Sequence, residues 1–142
     1  MQKKNELKIQ LARALADYDN LRKRIESDRA DWSKIETAKI VLRILPVFDM
    51  LNKAQEHLKD SGLELVIQDF KSALADLGVE VIAVQVGDKF NPLLEEAVQM
   101  VEDDQVNTIC EVVQPGWKMK NEDFIIRPAK VKVFGKKEEL HE

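Results

Sequence analysis

Apolar side chains recur at steps of four and three residues through the first 35 residues of the chain. The nine positions of this series are Leu7, Leu11, Ala14, Tyr18, Leu21, Ile25, Asp28, Trp32 and Ile35. This is the heptad spacing of a coiled coil, in which a narrow apolar seam faces a partner helix. Neither Gly nor Pro occurs before Pro46, so the pattern predicts one long helix over about residues 3–45.

The narrow seam leaves two interpretations open. The helix could lie on its own domain, or it could pair with another copy of the chain. A single stripe sustained over about four heptads favours pairing. We therefore predict dimerisation through Leu7, Leu11, Tyr18, Leu21, Ile25, Trp32 and Ile35, with Leu51 further along the chain. Aromatic side chains at a positions, and a carboxylate in the seam, predict a loose coiled coil that melts easily.

The apolar face broadens around Pro46, in the stretch IVLRILPVF. Proline lacks an amide hydrogen and disfavours helix at the residue before it, so Pro46 is predicted to begin or kink a second helix over about 47–59. Ser61-Gly62 would close that helix, and a third would cover about 63–77. Two short amphipathic helices cannot bury their apolar stripes alone. A four-helix bundle formed by two chains is therefore expected.

A different pattern begins at Gly78, which is a natural helix C-cap. Eleven of the fourteen valines lie at or beyond Val79, and Gly and Pro recur. Four short strands are predicted, at 79–86, 96–101, 108–114 and 129–134. The predicted fold class is α+β, with a long helix at 1–45, a helix pair at 46–77, an all-β domain at 78–135 and a tail at 136–142.

Composition narrows the possible functions. The net charge of −4 argues against general nucleic-acid binding. The charge is unevenly spread, because residues 1–35 carry a surplus of +3 (nine Lys/Arg against six Asp/Glu). Cys110 is the only cysteine, so a disulfide framework is excluded and a cytoplasmic location is expected. No apolar run approaches the roughly 20 residues of a membrane span. His57 and His141 are far apart, and we predict no enzyme activity, no cofactor and no metal site.

A basic run, Arg22-Lys23-Arg24, interrupts the amphipathic pattern. With Leu21 at d, these residues occupy e, f and g, so they flank the seam or lie opposite it. The run could face water, hold nucleic acid or contact a protein. A forked basic region carries many more cations and few acids, so nucleic-acid binding is disfavoured.

Ordered motifs along nearly the whole chain resemble the GrpE family, the nucleotide exchange factors of the Hsp70 chaperone DnaK. They are YDNLRKR (18–24), RILPVFDMLNKA (43–54), LADLGVEVI (74–82), FNPLLEEAVQMV (90–101) and PGWKMKNEDFIIRPAKVKV (115–133). Three residues depart from the family pattern. Glu95 stands where the family usually has His, Trp117 replaces Tyr or Phe, and Asp31 stands where a cation is frequent.

The resemblance implies a parallel homodimer that binds the ATPase domain of a DnaK-type Hsp70 and opens its nucleotide cleft. Carried over by motif, the contacts with Hsp70 would be Arg22, Lys23, Phe90, Pro92, Val113 and Val133, and a hinge would lie at Gly62. Each role has an alternative. The two valines could simply pack in the core, the glycine could only end a helix, and the two cations could only face solvent. The alternative function is a coiled-coil scaffold or holding chaperone without exchange activity.

Overall fold

A computed structural model of the chain describes residues 1–136. Two helices come first, α1 (Gln2–Leu58) and α2 (Ser61–Asp76). Six strands follow: β1 (Val79–Val81), β2 (Glu95–Glu102), β3 (Ile109–Gln114), β4 (Trp117–Met119), β5 (Ile125–Arg127) and β6 (Ala129–Gly135). The predicted α+β class, with an all-β C-terminal part, is confirmed. Most of the predicted tail, including His141, lies outside the described residues.

The prediction that a second helix begins at Pro46 is wrong, because α1 continues through it to Leu58. Val41, Leu45 and Phe48 lie on one face on both sides of the proline, and all three are buried. This continuous packing holds the helix together across the site. Pro46 itself is exposed, so the carbonyl that loses its amide donor can be satisfied by water.

Ser61-Gly62 does not close α1, as the sequence suggested, but begins α2. The left-handed residue of the turn is Lys59, at φ 48°, and Asp60 is the N-cap of α2. The carboxylate of Asp60 accepts from the backbone N–H groups of Gly62 and Leu63 at 2.7 and 3.0 Å. Gly62 therefore lies in the first turn of α2, and its hinge role stays a prediction. Gly78 follows α2 at φ 79°, as predicted for a C-cap.

The strands form two three-stranded sheets. We call the first the inner sheet; it has the order β1-β4-β5 and is antiparallel throughout. The outer sheet has the order β2-β6-β3, with β2 parallel and β3 antiparallel to the central β6. The chain passes from outer to inner sheet between β3 and β4, and returns between β5 and β6.

Each sheet has its own hydrophobic cluster. The inner cluster joins Val79, Trp117 and Met119 of the inner sheet to the buried faces of α1 and α2. The outer cluster consists of Ile109, Ala129, Val131 and Val133, with Val84, Phe90, Met100 and Val112 packed against it. By contact density Met1–Thr37 form one compact unit, and the described chain from Ala38 onward forms another.

Three of the four predicted strands match the structure to within one residue at each end. The predicted strand at 79–86 is shorter in the structure, where β1 ends at Val81. One further bond toward β4, from the Ile82 N–H to the Gly116 carbonyl (2.8 Å), follows before the chain leaves the inner sheet. Two strands, β4 and β5, were not predicted. Each has three residues, which is too short for an alternating pattern to be recognised.

Candidate functional site

The turn that follows Phe90 is held by a closed set of hydrogen bonds. The buried carboxylate of Glu95 accepts from the Asn91 N–H at 2.9 Å, and the Glu95 N–H donates to the Asn91 carbonyl at 3.0 Å. The Asn91 side-chain oxygen accepts from the Leu93 N–H at 3.0 Å. The Ala129 N–H donates to the Leu94 carbonyl at 3.1 Å, which ties the turn to β6. The turn is therefore stabilised both by hydrogen bonds within it and by a hydrogen bond from β6.

The same turn presents apolar groups to solvent. Pro92 is exposed, and Leu93 is 81% exposed. Phe90 is half-buried because its ring packs on the outer cluster. The predicted Phe90 and Pro92 thus share one hydrogen-bonded turn. Leu93 was not predicted, although its position directly after Pro92 in a turn motif was the available signal.

The two predicted valines lie in different surroundings. Val113 of β3 is exposed and lines an open groove of about 840 Å³, together with Phe48 and Trp117. Val133 of β6 is 4% exposed and belongs to the outer cluster. Its burial corresponds to the packing alternative, so we revise its predicted role from a direct contact to support of the outer sheet.

Arg22 and Lys23 are exposed on α1 and paired with acids of the same helix. Arg22 contacts Asp19 at 3.2 Å and Glu26 at 3.9 Å, and Lys23 contacts Asp19 at 3.1 Å. Exposed pairs at this spacing contribute about 0.3–0.5 kcal/mol. A partner with acidic groups would therefore displace them at little cost, and the predicted contact role of both cations is compatible with their geometry.

The predicted seam is exposed in the single chain. Its large apolar members are between 41% and 72% exposed: Leu7, Leu11, Tyr18, Leu21, Ile25, Trp32 and Ile35. Leu51, on the later part of α1, is half-buried and touches the inner cluster. A second group of exposed apolar residues is found on the later part of α1, on α2 and at the C-cap of α2: Val47, Leu58, Val66 and Leu77. The described part of the chain leaves these side chains uncovered.

A largely buried ion pair, which the sequence pattern did not reveal, links α1 to the β domain. The Arg127 guanidinium contacts both carboxylate oxygens of Asp49, at 2.7 and 3.1 Å, and the two side chains are only 11% and 14% exposed. The only signal in the sequence was a charged residue inside each of two apolar motifs, FDML and IIRPA.

Within residues 1–136, no helix is long and apolar enough to cross a membrane. A long amphipathic helix, a short second helix and a two-sheet β domain define the class as an α+β protein with uncovered apolar helix faces. The model of the GrpE family matches residues 1–135.

Curated proteins agree with that match. The Protein GrpE of Coxiella burnetii (strain Dugway 5J108-111) is 37% identical over 94% of this chain and 70% of its own length. That of a Nitratiruptor species is 35% identical, covering 85% of this chain and 74% of the relative. That of Halalkalibacterium halodurans is 37% identical, covering 89% of this chain and 69% of the relative. The chain belongs to the GrpE family, which assigns it a co-chaperone role with DnaK.

Proposed function

We propose that this protein is a homodimeric, cytoplasmic exchange factor that binds the ATPase domain of a DnaK-type Hsp70 and opens its cleft, so that ADP leaves. The match to the GrpE family over residues 1–135 carries the proposal. Exchange needs no covalent step and no cofactor, because the factor has only to bind the open cleft better than the closed one. A shift from 1:99 to 99:1 in favour of the open form would require about 5.5 kcal/mol of differential binding.

The uncovered apolar groups support the dimer. Val41, Leu45 and Phe48 are already buried by their own chain, whereas Val47 and Leu58 of the same helix are exposed. A second copy would cover these side chains and the seam together, giving a coiled coil that leads into a four-helix bundle. Sedimentation at micromolar concentration tests the dimer. An Ile25→Asp variant is expected to shift the protein toward monomer, whereas Glu26→Gln, the next residue, is not.

The β domain is suited to act as a wedge, that is, as the part that presses on the Hsp70 ATPase domain and holds its cleft open. Differential binding requires a surface that does not yield, and the turn at Phe90–Glu95 is braced by hydrogen bonds from its own side chains and from β6. Phe90 and Pro92 in this turn, and Val113 on β3, would supply apolar contacts with the Hsp70. Arg22 and Lys23 would contact acidic groups on the Hsp70 and speed association.

Thermodynamic linkage provides a test that needs no enzyme assay. If the factor weakens ADP binding by some ratio, ADP must weaken binding of the factor by the same ratio. Titration calorimetry with nucleotide-free and with ADP-saturated Hsp70 would measure that ratio. We expect markedly weaker binding in saturating ADP. Equal affinities in both conditions would contradict the proposal and favour the scaffold or holding chaperone.

A further inference from the structure

Three segments of the chain pass between the inner and outer sheets, and the two that follow β3 and β5 lie against the same point of α1. One is Gln114–Trp117, from β3 to β4, and the other is Arg127–Ala129, from β5 to β6. They are also packed on each other, because a Cβ added to Gly116 would collide with the backbone nitrogen of Ala129. The position of the outer sheet therefore depends on how these two crossings are held.

A single polar network joins both crossings to α1. Arg127 donates from Nη1 and Nη2 to the Asp49 carboxylate at 2.7 and 3.1 Å. It also donates from Nη2 and Nε to the Pro115 carbonyl at 2.7 and 3.2 Å. Gln114 Nε2 donates to Asp49 Oδ2 at 3.1 Å. The guanidinium is planar and its donors are fixed in direction, so it sets an angle as well as a distance.

Apolar packing does not supply the same connection. The helices pack on the inner cluster, and the outer cluster shares none of its buried residues, among those the structure describes. A hydrophobic contact also tolerates small rotations, because it has no preferred direction. The network around Arg127 is a directional link between α1 and the outer sheet. That sheet carries Val113 and is bonded to the Phe90–Glu95 turn through β6.

We propose that the Asp49–Arg127 ion pair is a latch that sets the orientation of the outer sheet on α1 and so positions the Hsp70-contacting surface of the β domain. Asp49 and Arg127 are positioning residues under this proposal, and neither has to touch the Hsp70. The second half of the proposal rests on the exchange function proposed above, whereas the first half concerns this chain alone.

The test compares Asp49→Asn with the native chain. Asparagine keeps the shape of the side chain but removes its charge and one of the two acceptor oxygens. Arg127→Lys is a second variant, which keeps the positive charge but lacks the planar set of donors that bonds both Asp49 oxygens and the Pro115 carbonyl. The control is Glu80→Gln, which breaks a more exposed ion pair, Glu80–Lys118 at 3.5 Å, inside the inner sheet. Circular dichroism and sedimentation would establish that each variant is folded and keeps the oligomeric state of the native protein.

Orientation is measured without any partner. Nitroxide labels at Glu56→Cys on α1 and Glu96→Cys on β2, in a Cys110→Ser background, report the distance between the helix and the outer sheet. Diluting labelled into unlabelled chain restricts the signal to distances within one chain. We expect a shifted and broader distribution in Asp49→Asn and Arg127→Lys, and a native distribution in Glu80→Gln. A native distribution in all three would overturn the latch.

The functional half is read from ADP release at saturating and at half-saturating factor. A misplaced wedge lowers the saturating rate, and we expect a loss of about tenfold or more, with a smaller change in the half-saturating concentration. Variants that are merely less stable would keep the native saturating rate once folded, and that result would overturn the positioning role. If the native chain does not accelerate ADP release from the Hsp70, the proposed exchange function is wrong. The label distances then test by themselves whether the ion pair sets the orientation of the outer sheet.

Discussion

Phe48 of α1 and Trp117 of β4 meet edge to face, with their ring centroids 5.6 Å apart and their planes at 79°. Phe70 of α2 stacks against Phe48 at 5.0 Å. Three aromatic rings thus join both helices to the inner sheet at one place. The Trp117 indole N–H finds no hydrogen-bond partner within residues 1–136, so the contact is one of shape and ring electrostatics.

Phe48→Ala should destabilise the protein by about 3–5 kcal/mol, because it deletes a fully buried ring and leaves a cavity between three elements. Urea unfolding at a fixed protein concentration measures the loss, since stability of an associating protein depends on concentration. Leu65→Ala, at an exposed position of α2, is the control and should stay within about 0.5 kcal/mol of the native value. A loss for Phe48→Ala no larger than for the control would refute this view of the core.

Leu93→Ala should weaken Hsp70 binding while leaving stability unchanged. Full burial of a leucine side chain is worth about 1.5–3 kcal/mol, which corresponds to about a 10- to 100-fold loss of affinity. Calorimetric titration would measure the affinity. Leu65→Ala again serves as the matched substitution, since that leucine is also exposed but lies on α2. If the Leu93 variant binds Hsp70 with native affinity, Leu93 at the tip of the turn is not part of the interface.

Reversing the charges of Arg22 and Lys23 on the stalk, the predicted coiled-coil helix over residues 1–45, by Arg22→Glu and Lys23→Glu should slow association with Hsp70 by about tenfold at low salt. The effect should shrink as salt is raised, because screening acts over about 8 Å at physiological ionic strength. Stopped-flow association across a salt titration is the measurement. Lys8→Glu with Arg13→Glu changes the net charge equally and at exposed positions outside the seam, and it should leave the rate near native. Equal effects of both pairs would point to overall charge rather than to this site.

The two tryptophans allow the heat sensitivity of the seam to be tested. Trp32 lies at an a position of the seam, and Trp117 is buried in the inner cluster. In a Trp117→Phe variant the fluorescence reports the stalk, and in Trp32→Phe it reports the core. We expect the Trp32 signal to change reversibly at a lower temperature, because Tyr18, Trp32 and Asp28 make a poorly packed seam. A single shared transition would argue against a separately melting stalk.

The sequence predicted the elements whose patterns are long. The heptad stripe indicated α1, and valine-rich runs separated by Gly and Pro located three strands, because both patterns extend over several residues. The continuity of α1 through Pro46 was not predictable from local rules, since tertiary packing of Val41, Leu45 and Phe48 outweighs the lost hydrogen bond. β4 and β5 are too short to carry a period.

The candidate site was predicted only in part, for a related reason. The structure confirms that Phe90 and Pro92 share a turn, which was predictable because a turn motif is local in sequence; their contact role stays a prediction. The Asp49–Arg127 pair joins residues 78 positions apart, and a distant charge pair leaves no mark in a single sequence. The contact role of Val133 was carried over from the family resemblance, with core packing as the alternative. Its alternation with Lys130 and Lys132 already favoured the dry face of the strand, and Val133 is buried in the outer cluster.

The central claim is that this chain drives ADP from a DnaK-type Hsp70. The most direct measurement is the release of a fluorescent ADP analogue from purified Hsp70, chased with unlabelled ATP, with and without the protein at increasing concentration. We predict a release rate that rises with concentration and then saturates. A rate that stays at the unassisted value at every concentration, from a preparation shown to be folded and dimeric, would contradict the claim.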